Sequence, residues 1–282
     1  MSGVVPPSQR TLVALDIDGT LITWSGELPR SARRAVKRAL ADPALEVVVA
    51  TGRSSHSALS VAQRIGMRHG WAVCSNGSVT LRLDPDLPQG WAVENSVTFD
   101  PTPAVQAIRR VLPDARFAVE DPGQGFLVTQ HFPDGELDGR IRVVTDAELT
   151  GQPVTRVILR DTGLTFEQLR QVVEETQLPD VTYAVGWTGW VDLNPPGVCK
   201  ATALEAVRQR LGILPSQTVA IGDGGNDITM LRWAACGVAM GGSRPEVVEA
   251  ADQVTAPIEE GGLALVLDHL PVSGRNHFNF RG

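Results

Sequence analysis

In the stretch Val13-Ala14-Leu15-Asp16-Ile17-Asp18-Gly19-Thr20-Leu21, an apolar run that predicts a buried strand ends in two carboxylates one residue apart. Strand alternation puts Asp16 and Asp18 on the same side, while Gly19 permits a turn that carries the second acid past the strand's end. Carboxylates at the end of a core strand lose part of their hydration free energy, so we expect them to have a functional role. Their arrangement suits a hard cation held by oxygen ligands. The alternative is an ordinary junction in which Asp18-Gly19 is a turn and Asp16 is a solvated strand end.

The composition is that of a globular protein with one large or two ordinary domains. The chain has 282 residues, of which 43% are hydrophobic and 20% charged, and its formal net charge of -7 argues against a broad nucleic-acid surface. The sequence contains no run of about 18 apolar residues that would predict a membrane span, and its first residues lack an apolar signal region. The three cysteines, Cys74, Cys199 and Cys236, lie far apart without a Cys-x-x-Cys pair, so we expect packing residues in a reducing, cytoplasmic setting.

Strands and helices alternate in two separated parts of the chain. The first part predicts strands at 11–15, 46–50 and 71–74 with helices at 31–40 and 54–65. After Pro195-Pro196-Gly197 the pattern returns, with helices at 201–211 and 227–235 and strands at 218–221 and 236–240. Continuous apolar strands joined by helices indicate a parallel sheet covered on both faces.

The intervening segment has a different pattern, with alternating stretches that predict antiparallel strands, among them 91–99, 116–120 and 126–131. We therefore predict the α/β class. A Rossmann-like, doubly wound core would consist of residues 1–81 and 188–282, and an α+β domain of residues 82–187 would be inserted into it.

Polar residues follow the core strands, and open α/β sheets bind ligands at the carboxyl ends of their strands. The Thr51 hydroxyl and the Gly52 amide could cradle an anion at a helix start, or form only a helix cap with a tight turn. Lys200 begins a helix, where the dipole disfavours a positive charge unless an anion lies nearby. Its alternative is an exposed lysine without a partner.

The loop Gly222-Asp223-Gly224-Gly225-Asn226-Asp227 is the most distinctive of these strand ends. Such a loop can bring Asp223 onto a magnesium ion while Asp227 holds a ligated water or the loop itself, or it can be a simple turn capped by Asn226 or Asp227. Phosphoryl transfer would use all four places. Carboxylates hold magnesium, a lysine and a hydroxyl grip the phosphate, one aspartate attacks phosphorus, and a neighbouring acid moves the proton.

Taken together, the motifs resemble those of the haloacid dehalogenase-like (HAD) hydrolase superfamily, in its Cof-type branch with a large α/β (type IIB) cap inserted between the second and third motifs. The resemblance spans nearly the whole chain, and the order and spacing of the motifs are more specific than any one of them. It rests on Asp16-Ile17-Asp18-Gly19-Thr20-Leu21, Ala50-Thr51-Gly52-Arg53, Ser75-Asn76-Gly77, Gly197-Val198-Cys199-Lys200 and the segment from Gly222 to Leu231.

The resemblance implies roles for individual residues. Asp16 would be the nucleophile and a magnesium ligand. Asp18 would be the general acid/base, with its main-chain carbonyl on the metal and its side chain free, and Asp223 would be the third protein ligand. The other implied residues serve the phosphoryl group or the metal loop: Thr51, Gly52 and Lys200 for the former, Asn226 and Asp227 for the latter. Gly225, where relatives often carry glutamate, departs from the pattern and mainly loosens the loop.

The implied activity is that of a Mg2+-dependent phosphatase acting on a small phosphate ester, with sugar phosphates as the leading class, through an aspartyl-phosphate. A phosphomutase of the same fold would yield an isomerised sugar phosphate instead of free phosphate, and a non-catalytic phosphate-ligand sensor would show no turnover. The insertion is expected to select the substrate. Trp24, Trp187 and Trp190 are expected to pack rather than stack on a ligand, and Arg53 is open between a helix-surface role and contact with a second anion. The oligomeric state stays open.

Overall fold

A computed structural model describes residues 5–178, 181–185 and 190–270 and contains two β-sheets with helices around them. Trp187 and the predicted boundary between residues 187 and 188 lie outside the described residues. Within them, no helix combines the length and apolar character that crossing a membrane requires.

The strands, in chain order, are β1 (Thr11–Leu15), β2 (Leu45–Ala50), β3 (Gly70–Cys74), β4 (Val79–Leu83), β5 (Trp91–Ser96), β6 (Arg116–Asp121), β7 (Gly125–Val128), β8 (Arg140–Val143), β9 (Val157–Arg160), β10 (Thr182–Val185), β11 (Trp190–Asn194), β12 (Thr218–Gly222), β13 (Cys236–Ala239) and β14 (Gln253–Val254). The α-helices are α1 (Arg30–Ala41), α2 (Ser55–Ile65), α3 (Thr102–Val111), α4 (Asp146–Leu149), α5 (Phe166–Thr176), α6 (Lys200–Leu211), α7 (Ile228–Trp233), α8 (Pro245–Glu249) and α9 (Gly262–Asp268).

The large sheet has the strand order β14-β13-β12-β1-β2-β3-β4-β5. It is parallel from β14 to β3, and β4 and β5 are added antiparallel at one edge. Every residue of β1 is buried, as expected for a strand covered on both faces. Side chains of α1, α2 and α9 pack on one face of the sheet, and those of α6, α7 and α8 pack on the other. The predicted doubly wound α/β core is therefore confirmed.

The small sheet has the strand order β10-β11-β9-β6-β7-β8. Its pairs are antiparallel, apart from the parallel pair of β7 and β8. Helices α3 and α5 pack against it around a separate apolar cluster that includes Ile108, Phe117 and Leu169. The predicted inserted α+β unit is thus a second sheet with its own core.

The division between the sheets does not follow the predicted boundaries at residues 82 and 187. Strand β5 lies inside the predicted insertion but pairs with β4 in the large sheet, and β11 lies in the predicted core but pairs with β9 and β10. Alternation identifies a strand and its wet face, but it does not identify the partner strand. Strand β8 is not among the predicted strands, although Arg140-Ile141-Arg142-Val143 alternates in polarity; all four residues are exposed.

Candidate active site

The four polar sites predicted from the sequence meet at one edge of the large sheet. Asp16 follows β1, Thr51 follows β2 and Asp223 follows β12, and these three strands are parallel neighbours. A cavity of about 830 Å³ lies over this edge, lined from below by these residues and from the other side by residues of the small sheet. Its size is in the range of cavities that hold small-molecule ligands.

Lys200 lies at the centre of this edge and is fully buried. Its Nζ donates to Asp16 Oδ1 at 2.5 Å and to Asp227 Oδ1 at 2.6 Å. Burial by itself lowers the pKa of the ammonium, but the two carboxylates outweigh it and raise that pKa above its usual value. The side chain is therefore charged, and the alternative of an exposed lysine without a partner is wrong. The anions that offset the helix dipole at the start of α6 are these two aspartates.

Three carboxylates face this single ammonium. Ligand oxygens of Asp16, Asp223 and Asp227 lie within 4.8 Å of one another. Burial, with Asp227 nearby, raises the pKa of Asp16 well above its usual range and raises that of Asp223 to about 7. The group thus carries more negative charge than Lys200 neutralises, and its donors are all oxygens. Such a set fits a hard divalent cation.

Glycines bring the metal-loop residues close to one another. Asp227 Oδ2 accepts the backbone N–H groups of Asp223 at 3.0 Å and Gly224 at 2.9 Å, which holds the loop in place. Gly19 has φ of +76°, and a Cβ there would lie 2.2 Å from Asp223 Oδ2. Thr20 donates its hydroxyl to the other oxygen of Asp223 at 3.2 Å. Glycine is therefore required where the first motif meets Asp223.

The carboxylate of Asp18 is paired with Arg53 in this structure, and its role as general acid/base stays a prediction. Arg53 Nε donates to Asp18 Oδ2 at 2.8 Å, and Arg53 Nη2 donates to Oδ1 at 2.7 Å. This two-point pair raises the pKa of Arg53. The sequence allows Arg53 either a role on the helix surface or contact with a second anionic group of a ligand. In the structure, the partner of Arg53 is an acid of the protein itself.

The predicted anion cradle forms a tight loop between β2 and α2. Thr51 is buried, and its Oγ1 accepts the Arg53 backbone N–H at 3.0 Å, so the hydroxyl hydrogen points elsewhere and can donate to a ligand. Gly52 lies directly beside Asn76, because a Cβ on Gly52 would be 3.0 Å from Asn76 Oδ1. Hydroxyl and amide donors thus lie at the cavity floor, as an anion site requires.

The turn Ser75-Asn76-Gly77 has a strained backbone and contacts several parts of the site. Ser75 and Asn76 have left-handed φ values of +51° and +54°, which non-glycine residues rarely adopt. Gly77 lets the turn approach the start of α6 closely, since a Cβ there would lie 2.4 Å from the Cys199 carbonyl oxygen. Asn76 accepts from Asn226 Nδ2 at 3.0 Å and donates to Asp192 at 3.4 Å. The turn therefore connects the metal loop with the small sheet.

Acidic residues of the inserted unit, which the sequence does not single out, complete the cavity together with Trp190, which it does. Glu136, Asp138 and Asp192 line it with carboxylates. Trp190 lines it too, and it donates to Asp192 Oδ1 at 3.0 Å while packing edge-on against Phe132. A sequence signal did exist for Asp192, since a charged residue interrupts the apolar strand β11.

Trp24 lines the cavity from the flap after the first motif. Its side chain was expected to pack, but it is 59% exposed.

Comparisons with known proteins agree with this geometry. A family model described as haloacid dehalogenase-like hydrolase matches residues 13–107 and 131–267. The phosphatase YwpJ of Bacillus subtilis is 26% identical over 92% of this chain and 99% of its own, and the 5-amino-6-(5-phospho-D-ribitylamino)uracil phosphatase YitU of the same organism is 25% identical over 91% and 96%. The solved structure of the HAD subclass IIB sugar phosphatase BT4131 superposes with a TM-score of 0.75 at 26% identity, over 93% of this chain and 99% of that one.

The family match covers most of the chain, including the strand ends that carry the acids, and it confirms the resemblance found in the motifs. The likeness to BT4131 extends over the core and the inserted unit together. The chain therefore belongs to the haloacid dehalogenase-like hydrolases, in the Cof-type branch with an inserted α/β cap.

Proposed function

We propose that this protein is a magnesium-dependent phosphatase that hydrolyses a small phosphorylated metabolite through an aspartyl-phosphate on Asp16. The observation that carries the proposal is the pairing of buried Lys200 with Asp16 at 2.5 Å, beside Asp223 and below the cavity. Lys200 occupies one oxygen of Asp16, which leaves the other oxygen to attack. Its charge also lies where the negative charge of a transferring phosphoryl group would develop.

A phosphoryl group in this cavity would be gripped by groups already in position. The Thr51 hydroxyl and the Gly52 amide are the donors of the loop after β2, and the Lys200 ammonium faces the same space. Preorganised donors of this kind stabilise the transition state because they need no rearrangement when charge develops. We assign phosphate binding to these three residues.

Asp16 and Asp223 would hold the Mg2+ ion through their carboxylates, together with the main-chain carbonyl of Asp18, and Asp227 would order the loop. The clustered oxygens support this assignment, because three carboxylates share a single ammonium. The pKa values of Asp16 and Asp223 are raised by burial first and by the charge of Asp227 second, and a bound cation would offset both effects. When bound, the ion neutralises phosphoryl oxygens and lowers the electrostatic barrier to attack by an anionic nucleophile.

The chemistry then takes two displacements at phosphorus. In the first, an Asp16 oxygen forms a bond to phosphorus, the bond to the leaving oxygen breaks, and Asp18 gives that oxygen a proton. In the second, Asp18 takes a proton from water, the water oxygen bonds to phosphorus, and the Asp16–phosphorus bond breaks. In this structure both oxygens of Asp18 accept hydrogen bonds from the Arg53 guanidinium, which holds the carboxylate in one orientation.

The cap would choose the substrate, and its lining favours a sugar phosphate. Trp24 and Trp190 offer flat apolar faces, while Asp192 and Asp138 offer acceptors for hydroxyl groups. The related BT4131 is described as a sugar phosphatase, and the name of YitU gives it a phosphoribityl substrate; both compounds are polyhydroxylated. Sheet pairing and the packing of α3 against the small sheet support a cap that runs from about α3 to β11, within and just beyond the predicted segment 82–187.

A phosphate-release screen tests this proposal. Purified protein with Mg2+ is offered a panel of phosphorylated metabolites, and kcat/KM is then measured for those that release phosphate. We expect sugar phosphates to lead, and we expect Asp16→Asn to abolish release while its thermal midpoint stays close to that of the wild type.

Full activity in the Asp16→Asn variant would remove the nucleophile assignment. An isomerised sugar phosphate in place of free phosphate would identify a mutase instead, and binding without turnover would identify a sensor.

A further inference from the structure

A buried ion pair belongs to the cap but faces the core. Glu120, in β6, is 6% exposed, and Arg156, just before β9, is 2% exposed. Arg156 Nη2 donates to Glu120 Oε2 at 3.3 Å, and Arg156 Nη1 lies 3.6 Å from Asp192 Oδ1. The guanidinium also lies 5.8 Å from the ring centre of Phe126. Its position is thus fixed by two acids and one aromatic ring of the small sheet.

Glu120 connects this pair to the helix that follows the phosphate loop. Its Oε1 accepts from both the backbone N–H and the hydroxyl of Ser55, each at 2.7 Å, and Ser55 is the first residue of α2. Its Oε2 accepts the hydroxyl of Ser75, in the strained turn after β3. A carboxylate at a helix N-terminus is favoured by the helix dipole and by unpaired N–H groups. The cap therefore contributes the acid that the start of α2 requires.

Arg156 contacts the phosphate loop directly. Its Nη1 donates to the carbonyl oxygen of Gly52 at 2.6 Å. That carbonyl belongs to the same planar peptide as the Arg53 N–H, which donates to Thr51 Oγ1 at 3.0 Å. This one peptide is thus held at both ends, by a residue of the cap and by a residue of the loop itself.

We propose that Arg156 is a positioning residue of the cap, which orients the Gly52–Arg53 peptide and thereby the phosphate loop, while Glu120 holds the guanidinium in place. The proposal rests on the proposed function in one respect, namely that this loop binds the phosphoryl group.

Two consequences follow from fixing this peptide. The Arg53 N–H of this peptide holds the Thr51 hydroxyl by a hydrogen bond, and the Gly52 Cα joins the peptide to the Gly52 amide, so both proposed phosphate donors depend on its orientation. They also set where the Arg53 side chain begins, and that side chain holds Asp18. Donors displaced by about 1 Å lose roughly 100-fold in rate, so a residue that never touches substrate can control turnover.

Three variants separate this role from simple folding support. The double variant Glu120→Gln with Arg156→Met removes Arg156 together with its more deeply buried acid, while Asp192 keeps its hydrogen bonds from Trp190 and Asn76. Arg156→Lys keeps the positive charge but lacks the fork that reaches Gly52 and Glu120 at once. Arg109→Met is the matched control, because Arg109 also forms an ion pair within the cap, with Asp146, but does not line the cavity.

Each variant is assayed for kcat and KM with a chromogenic phosphate ester and Mg2+, for its thermal midpoint, and for hydrogen exchange of the peptide covering residues 51–54. We expect kcat to fall about 100-fold in the double variant and about tenfold in Arg156→Lys, with exchange accelerated at residues 51–54 and the Arg109→Met control unchanged. The exchange measurement needs no substrate, so it still tests Arg156 if the wild type releases no phosphate and the proposed function fails.

The proposal is overturned if either folded Arg156 variant keeps kcat within twofold of the control, or if exchange at residues 51–54 stays at the wild-type rate. Should the double variant not fold, Arg156→Lys decides by the same two criteria. A fall in kcat that only parallels a fall in thermal midpoint, without faster exchange in this loop, would also overturn it, since that pattern indicates general support of the fold.

Discussion

Lys200 is the buried cation whose replacement by methionine tests the electrostatics of the site most simply. Methionine has a similar length, so the change removes the charge and its two hydrogen bonds while keeping most of the volume. Asp16 and Asp227 would then be left buried, facing each other without a counterion. Without magnesium, we expect a large loss of stability, because the carboxylates have no other cation within hydrogen-bond distance among the described residues.

The size of the loss follows from the geometry. Removing one partner of a buried ion pair costs about 3–5 kcal/mol, since the remaining charge keeps its desolvation penalty and loses its compensation. For a chain of this size, each 1 kcal/mol lowers the thermal midpoint by about 2–4 °C, so the midpoint should drop by roughly 6–20 °C in EDTA. Saturating Mg2+ should restore part of the drop, because the ion would neutralise the same carboxylates.

The assay is thermal unfolding of wild type and variants, in EDTA and in Mg2+. Lys37→Met is the matched control: Lys37 is the other lysine of the chain and is exposed on α1, so its replacement should shift the midpoint very little. Lys200→Met combined with Asp227→Asn should recover stability relative to Lys200→Met alone. A Lys200→Met midpoint within 2 °C of the Lys37→Met midpoint in EDTA would refute the ion-pair account of this site.

Two further predictions concern Asp223. Its pKa is raised to about 7 by burial and by Asp227, so below that pH a metal must displace a proton from Asp223. Mg2+ affinity measured by calorimetry should therefore rise with pH up to at least about 7, since the pKa of Asp16 is raised as well. Between pH 3.8 and about 7, Asp223 holds a proton in the folded state but not in the unfolded state. The metal-free wild type should therefore lose stability relative to Asp223→Asn as the pH rises through this range. A Mg2+ affinity that does not change with pH would contradict both predictions. Gly19→Ala should weaken Mg2+ activation severalfold, because its Cβ would lie 2.2 Å from Asp223. The control is Gly26→Ala, with φ of +80° and no atom within 4 Å, which should show only the backbone penalty of about 1 kcal/mol. Equal effects in the two variants would argue against the close contact between Gly19 and Asp223.

The core of the fold and the acids of the site could be predicted because their signals are local. An apolar run followed by Asp16, or by Thr51-Gly52, predicts both a strand and the residue at which it ends. Parallel neighbouring strands then bring those ends together at one edge of the sheet. Lys200 could be predicted for a related reason, since a lysine at a helix start conflicts with the dipole unless an anion is near.

Other features could not be predicted because they depend on contacts between distant segments. Nothing near β5 in the sequence tells which sheet it joins. Glu120 lies in β6 and Arg156 lies just before β9, 36 residues further along the chain, and in the sequence each alone indicates only a solvent-facing charge. The pairing of Asp18 with Arg53 is decided by side-chain geometry between two motifs, which the sequence of neither motif specifies.

The central claim is that Asp16, not Asp18, takes the phosphoryl group. The most direct measurement is to quench the enzyme during turnover of a phosphate ester with Mg2+, reduce it with borohydride, which converts an aspartyl-phosphate to homoserine, and sequence the tryptic peptide of residues 11–30 by mass spectrometry. We predict homoserine at position 16, dependent on substrate and absent from the Asp16→Asn variant. Homoserine at position 18, or rapid phosphate release with neither residue modified, would contradict the claim.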